Sequence, residues 1–290
     1  MKELNESTLI ICSIVRNAEN GLIKNIPIIK ALCSKCKDYK IVIYENDSVD
    51  KTKELLKEWS KTDGKVHALL NNTDKSQTIP SQHEVKGNPF FSYKRISKMA
   101  MLRNKYMDYI KEKGWDADYL VVVDLDVAKL DINGILSSFN KGKEWNAVTA
   151  FGHSLSPRLR RRYHDTYALT EFGDEQNPQT EGKIKTLADK YGKLKATDGW
   201  VRVFSAFGGL AIYRFDAVKN LRYEVMANDD DRIEVRCEHF SIYWQMAKDG
   251  FNRVYINPAM QLKYQKLTFR IVWQSLCRMF NKLTKQKNEH

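Results

Sequence analysis

Two aspartates, Asp124 and Asp126, follow directly on the apolar run Tyr119-Leu120-Val121-Val122-Val123. Such a run predicts a strand buried on both faces, where an unpaired carboxylate would be costly, so the aspartates belong at its open end, on one side by alternation. Two oxygen ligands there suit a hard divalent ion shared with a phosphate; a solvated strand end is the plain alternative. A second polar group, Glu45-Asn46-Asp47-Ser48-Val49-Asp50, falls where another strand meets its helix. Open α/β sheets bind ligands outside the carboxyl ends of their strands, so Glu45, Asn46 and Asp50 are placed to hydrogen-bond a ribose or base. Ser48 and Asp50 are equally of the types that cap a helix.

The elements that must position these residues alternate in the first half of the chain. Strands are expected at Thr8–Val15, Lys40–Tyr44 and Val66–Leu70, and helices at Leu22–Lys35, with Pro27 in an early turn, and at Lys51–Ser60. This is the pattern of a parallel sheet with covering helices. After a polar loop over Asn71–Asn88, the stripe Ile96, Met99, Ala100, Leu102, Tyr106 and Ile110 predicts a helix over Tyr93–Lys113 that feeds the strand ending at Asp124. Beyond Asp126 come a short helix over Asp131–Phe139, a short strand over Ala147–Ala150, and a polar stretch over Gly152–Gly199 with little periodicity. Val201–Tyr213 reads as one strand interrupted at Gly208-Gly209, Glu238–Asp249 as a helix, and Arg253–Asn257 as a last strand stopped by Pro258.

The 290 residues are 42% hydrophobic, enough for one large core. Forty-eight basic against 36 acidic residues leave a net charge of +12, which favours phosphate-bearing or anionic company. No nucleic-acid-binding motif or interleaving of aromatics with the basic residues accompanies that charge, so nucleic acid is not an expected partner. Cys12, Cys33, Cys36, Cys237 and Cys277 form no disulfide framework, and no second pair completes a zinc site with Cys33-x-x-Cys36. The first apolar run is too short to span a membrane and lacks the flanks of a signal peptide, so a cytoplasmic chain is expected.

The order of motifs carries more than any one of them. Glu45-Asn-Asp-Ser-x-Asp-x-Thr, then Arg95 and Leu102-Arg103-Asn104 on a helix, then a strand ending in Asp-x-Asp, resembles the metal-dependent GT-A-fold glycosyltransferases and is most similar to their capsule-associated mannosyltransferase group. The resemblance spans residues 9–258. It implies a Rossmann-related mixed α/β sheet flanked by helices, in a single domain with a nucleotide-sugar half over 1–126 and an acceptor half over 127–264. It further implies transfer of a hexose, with mannose from GDP-mannose the first donor to consider, onto a surface polysaccharide or lipid-linked glycan.

In that frame Asp124 and Asp126 hold Mn²⁺ or Mg²⁺ against the donor diphosphate. Arg16 and Asn17 resemble the first nucleotide-contacting loop, and Arg95 and Asn104 join the donor site with Arg103. The planar guanidinium of Arg103 suits a phosphate, although a surface helix arginine remains the alternative. Gly208 and Gly209 resemble a segment where sugar approaches the backbone, and a β-bulge would explain them as well. Related enzymes often carry a Glu-Asp pair where this chain has Glu238-His239, so Glu238 is the expected general base and His239 orients the acceptor or completes the metal shell. Asp198, Asp229, Asp230 and Asp231 are rivals for the base. A sugar-phosphate nucleotidyltransferase is the nearest alternative activity, but no Gly-rich phosphate loop near the amino terminus supports it.

Two cationic segments stand apart from the site. Pro157-Arg-Leu-Arg-Arg-Arg162 is a solvated face or a grip for a phosphate-bearing acceptor. In residues 266–287, Phe269, Val272, Trp273, Leu276, Phe280 and Leu283 recur at helical spacing among lysines and arginines, as expected of a basic amphipathic helix lying on an anionic membrane or packed on the domain. Each basic residue near an anionic surface adds about 1 kcal/mol. Deletion from Thr268 onward is therefore expected to release the protein from phosphatidylserine liposomes in a sedimentation assay while leaving it folded. Aggregation of the truncated protein, or indifference of the full chain to liposomes at low salt, would return this segment to the core.

Overall fold

The computed structural model describes residues 2–72, 79–85, 87–139, 144–156 and 160–264; the segment expected to form the basic amphipathic helix lies outside them. Five strands and three helices form the first half: β1 Thr8–Val15, α1 Glu19–Cys33, β2 Asp38–Asn46, α2 Thr52–Thr62, β3 Val66–Asn71, α3 Tyr93–Glu112, β4 Tyr119–Val123 and β5 Lys129–Leu130. The second half adds α4 Ile132–Ser137, β6 Ala147–Leu155, β7 Arg161–Tyr163, β8 Thr170–Glu171, α5 Glu181–Tyr191, β9 Val201–Ser205, β10 Leu210–Arg214, α6 Glu238–Lys248 and β11 Val254–Lys263.

All eleven strands join one mixed sheet in the order β3-β2-β1-β4-β10-β6-β11-β9-β8, with β5 paired to β11 and β7 to β6. The first four are parallel, and β10 runs antiparallel to both β4 and β6. The halves expected on either side of Asp126 thus share a single sheet. Alternation explains the continuous apolar runs, because each side of the central strands faces its own layer. Leu9, Ile11, Ile41, Ile43, Val121 and Val123 pack with residues of α1, α2 and α4, whereas Ile10, Cys12, Val42, Leu120 and Val122 pack with α3 and α6.

Several boundaries differ from expectation. α1 begins at Glu19, so Pro27 lies in its interior. The carbonyl it leaves unbonded is that of Ile23, a residue 56% exposed, where water can serve instead. Val201–Tyr213 is not one interrupted strand: β9 pairs with β8 and β11, while β10 inserts between β4 and β6, so Gly208-Gly209 lies on the link between distant places in the sheet. Pro258 does not end the last strand; β11 runs on to Lys263 past a register shift between Asn257 and Gln261, where a missing N–H is tolerated. The polar stretch over Gly152–Gly199 holds the end of β6, β7, β8 and the whole of α5.

Two contacts fix the loop that carries the aspartates. Asn25 in α1, fully buried, donates from Nδ2 to the carbonyl oxygens of Leu125 at 3.0 Å and Val127 at 2.8 Å. One turn earlier, Gly21 lets α1 pass against the same loop: a Cβ there would lie 2.4 Å from the Leu125 oxygen and 2.5 Å from Asp126 Cα. A helix-interior Gly→Ala change ordinarily stabilises by up to about 1 kcal/mol. At this position the sign is expected to reverse, with Gly21→Ala losing about 1–3 kcal/mol in denaturant unfolding because the Asp-x-Asp loop must shift.

Candidate active site

A cleft of about 830 Å³ opens at the carboxyl ends of β1, β2 and β4, where the chain order of the parallel strands reverses. This is the position at which open α/β sheets take ligands. Arg16 and Asn17 follow β1, Asn46 ends β2, Asp124 and Asp126 follow β4, and Arg95 and Arg103 reach in from α3; all line the cleft. Glu238 and His239, at the start of α6, line its opposite wall.

The β1–α1 and β2–α2 loops are zipped together by their own side chains. Asn17, at φ +51°, donates its N–H to Ser48 Oγ at 2.9 Å and accepts the Val49 N–H on Oδ1 at 2.9 Å. Ala18 N–H donates to Thr52 Oγ1 at 2.7 Å. Asp50 takes the Glu19 N–H on Oδ2 at 3.1 Å and the Thr52 N–H on Oδ1 at 3.1 Å, so it serves the first turns of two helices. Fully buried Glu45 accepts the Ser48 N–H at 2.5 Å and lies 3.8 Å from Lys53 Nζ. Glu45 and Asp50 therefore build the loop and do not line the cleft, whereas Asn46 does, with a buried Oδ1 that has no protein partner.

Arg103 is 3% exposed, which removes the surface-arginine alternative. Its Nε donates to Glu238 Oε1 at 3.0 Å, its Nη2 lies 3.9 Å from Asp124 Oδ1, and its plane lies over Phe207 and Tyr223 at 5.0 and 5.8 Å. Nη1 has no hydrogen-bond partner among the described residues. Burial disfavours charge on Glu238, but His239, Arg103 and Arg95 outweigh it and hold that carboxyl at about 2. Glu238, expected as the general base, is thus the counter-ion of Arg103 in this structure, and a general base works best when its value lies near the working pH. His239, stacked on Phe207 at 3.9 Å, has neither ring nitrogen hydrogen-bonded, and burial followed by the Arg103 charge holds it neutral, well below the usual imidazole value.

Burial pushes Asp124 up to about 8; Arg103 opposes the shift, and the neighbouring Asp126 and Asp165 add to it. Asp124 Oδ2 accepts a hydrogen bond from Tyr264 Oη at 3.1 Å, and its N–H donates to the Gly209 oxygen at 2.8 Å. Crowded carboxylates at a cleft floor fit a divalent cation. Among the described residues no group of three or more His, Cys, Asp and Glu side chains is arranged to hold a metal, so further ligands would come from phosphate and water, as Mg²⁺ commonly takes them.

Asn104 lies outside the cleft, where its side chain bonds both the N–H and the oxygen of Tyr223 at 2.9 Å. Gly208 and Gly209 are also outside the lining, in left-handed backbone at φ +61° and +89°. Asp198, Asp229, Asp230 and Asp231 are not in the cleft. In the cationic run, Arg162 lines the cleft while donating to Asp189 at 3.0 Å, and Arg161 lies over Phe151 at 4.4 Å. Unforeseen from sequence are Tyr264 and the turn from Tyr163 to Tyr167, all of whose residues line the cleft. The turn includes Asp165, raised to about 7 by burial and then by Glu238, against Arg103 and Arg95. The adjacent His164-Asp165 was the available signal, two chemistry-bearing residues inside a polar stretch.

The profile of the family described as cryptococcal mannosyltransferase 1 matches residues 10–273. The chain belongs to this family. No match is found among the curated proteins. Among solved structures, the chain is similar to the mannosyltransferase PcManGT from Pyrobaculum calidifontis in complex with GDP-Man and Mn2+, with 12% identity, 95% of this chain and 65% of that one covered, and a TM-score of 0.48. S. aureus TarS 1-349 in complex with UDP gives 8% identity, 92% and 63% coverage, and a TM-score of 0.48. GalNAc-T7 with UDP, GalNAc and Mn2+ gives 12% identity, 90% and 44% coverage, and a TM-score of 0.47. This cryptococcal mannosyltransferase 1 family chain thus spans between 44% and 65% of the length of these three.

Arg103→Met would leave Glu238 buried and unpaired and is expected to cost about 3–5 kcal/mol in denaturant unfolding. Arg103→Met with Glu238→Met should recover much of that loss. The sign with pH follows from the depressed carboxyl: its contribution is complete above the unfolded-state value of 4.5 and is lost as pH falls toward about 2. The unfolding free energy of the wild type should rise with pH across that window, and the double variant should lack this component.

Proposed function

We propose that the protein transfers a hexose from a nucleotide-sugar to a glycan or lipid-linked acceptor, with mannose from GDP-mannose as the donor. The observation that carries this reading is the meeting of Asp124, Asp126 and the Arg103 guanidinium in a cleft at the ends of parallel strands, within a chain of this family. Arg16, Asn17 and Asn46 take the nucleoside. Asp124 and Asp126 hold Mn²⁺ or Mg²⁺, which when bound stabilises negative charge on the departing diphosphate. Arg103, braced by Glu238, keeps a guanidinium nitrogen for the phosphates, and Arg95 lies on the same helix with its Nε unpartnered. Glu45 and Asp50 act by holding the nucleoside loop in shape.

The acceptor half of the cleft is walled by α5, the Tyr163–Tyr167 turn and the start of α6. In transfer the acceptor oxygen bonds to the anomeric carbon, the bond from that carbon to the diphosphate breaks with its electron pair staying on the diphosphate, and the acceptor hydroxyl's proton passes to solvent water. Among the described residues no helix is long and apolar enough to cross a membrane. A lipid-linked acceptor would instead be met at the inner membrane face through the basic segment 266–287.

Thermal unfolding with GDP, UDP or CMP, each with and without Mn²⁺, tests the reading. GDP with Mn²⁺ is expected to raise the melting temperature, GDP alone to do so much less, and Asp126→Asn to abolish the metal-dependent part without lowering the melting temperature of the free protein. Equal stabilisation by GDP with and without the metal would refute the placement of the diphosphate. Absence of stabilisation by any of the three nucleotides would refute the nucleotide-sugar reading itself.

A further inference from the structure

Three of the cleft's carboxylates have work in the reading above, Asp124 and Asp126 toward the cation and Glu238 toward Arg103. Asp165 has none, and the fold holds it with unusual care. It sits at φ +63°, a left-handed conformation uncommon for any residue but glycine. The turn around it is tied down from several elements. Gln179 Nε2 donates to the carbonyl oxygens of Thr166 and Leu169, each at 3.1 Å, and Ser205 Oγ donates to that of Ala168 at 2.8 Å. The His164 N–H donates to the Gly152 oxygen at 2.8 Å, and Tyr167 Oη donates to the Val235 oxygen. Sparsely populated backbone persists only where its surroundings over-determine it, and such residues cluster at ligand sites.

Gly208 completes the arrangement. Its N–H favours the charged form of the Asp165 carboxylate, and a Cβ on it would lie 2.3 Å from the Ala150 oxygen and 3.0 Å from Tyr163 Oη. The pair of left-handed residues therefore fixes one carboxylate in the wall of the cleft. Next to it His164 stacks on Tyr264 at 3.7 Å, and Tyr264 Oη donates to Asp124, while Tyr167 donates to the Val235 oxygen three residues before Glu238, so the turn lies between the cation end and the start of α6. A hexose carried on a diphosphate occupies this interval, because its anomeric carbon is bonded to the phosphate that the cation end receives.

We propose that Asp165 is a sugar-holding residue, whose carboxylate accepts hydrogen bonds from hydroxyl groups of the transferred hexose. The inference rests on the nucleotide-sugar reading above and deepens it. Above about pH 7, the value to which burial raises it, the Asp165 carboxylate is ionised and has acceptor capacity for two or more hydroxyl donors, and hydrogen bonds to an ionised acceptor are about twice as strong as neutral ones. Asp165 thus separates recognition of the sugar from recognition of the nucleotide, which belongs to the β1 and β2 loops.

Calorimetric titration of the full chain with GDP and with GDP-mannose, each with Mn²⁺, tests this in the wild type, Asp165→Asn and Asp165→Gly. Both replacements accept a left-handed backbone, so neither introduces strain at φ +63°. The wild type is expected to bind GDP-mannose more tightly than GDP. Both variants should keep GDP affinity within about twofold and lose about 10- to 100-fold in GDP-mannose affinity, the range for a hydrogen bond to a charged group. Variants that keep the wild-type preference for GDP-mannose would overturn the assignment while leaving the transferase reading intact, as would a wild type with no such preference. A wild type that binds neither ligand would overturn the transferase reading, and this assignment with it.

Discussion

The buried ion pair between Arg103 and Glu238 is the constraint on which the cleft depends. It ties α3 to the first turn of α6 through a hydrogen bond of 3.0 Å, and the same guanidinium lies 3.9 Å from Asp124 at the end of β4. One planar cation therefore spans both walls and the floor. Desolvating two charges costs several kcal/mol per ion, and well-packed apolar residues in their place are often neutral or stabilising. Stability alone is thus a weak reason to keep the pair. It holds a guanidinium in fixed orientation, stacked near Phe207 and Tyr223, with Nη1 still lacking a hydrogen-bond partner among the described residues.

The β1–α1 and β2–α2 loops follow a related logic at lower electrostatic cost. Glu45, Ser48 and Asp50 satisfy backbone donors of the two loops, so the loops hold each other. The residues left facing the cleft, Arg16, Asn17 and Asn46, then project from a support held by those contacts. Sequence position had given Glu45 and Asp50 to the ligand because both stand at the end of a strand. A strand end is crowded, however, and the carboxylates nearest a helix start are captured by its free N–H groups before any ligand competes.

What the sequence disclosed follows from periodicity. Strands covered on both faces show as apolar runs, α3 shows its stripe, and both yield the mixed α/β fold and the position of Asp124 and Asp126. The second half was less legible because its strands do not pair in chain order. β9 and β10 are consecutive in sequence, yet β6 and β11 lie between them in the sheet, and no local pattern encodes that separation. Asp165 escaped for the same reason: its importance comes from Gly208, Gln179 and Ser205, which tertiary structure alone brings to its turn. The Gly208-Gly209 pair was visible as a signal, but its reason was not. Gly208 packs closely against Ala150 and Tyr163, at the start of the Asp165 turn, and Gly209 accepts from the Asp124 N–H, so the two glycines join the segments that carry both aspartates.

That junction explains how two chemically different halves act as one site. The parallel strands β1, β2 and β4 supply loops and helix starts, which favour anions, while the antiparallel insertion of β10 beside β4 brings a glycine turn next to the aspartates. Carboxylates gathered this closely repel one another, and burial raises both Asp124 and Asp165. Arg103 relieves part of that repulsion, but its strongest contact is already with Glu238. The floor of the cleft therefore gathers carboxylates beside a guanidinium nitrogen that has no hydrogen-bond partner among the described residues. In the proposed function a metal cation bound with an anionic diphosphate would meet both features together, the cation at the carboxylates and the phosphate at the guanidinium.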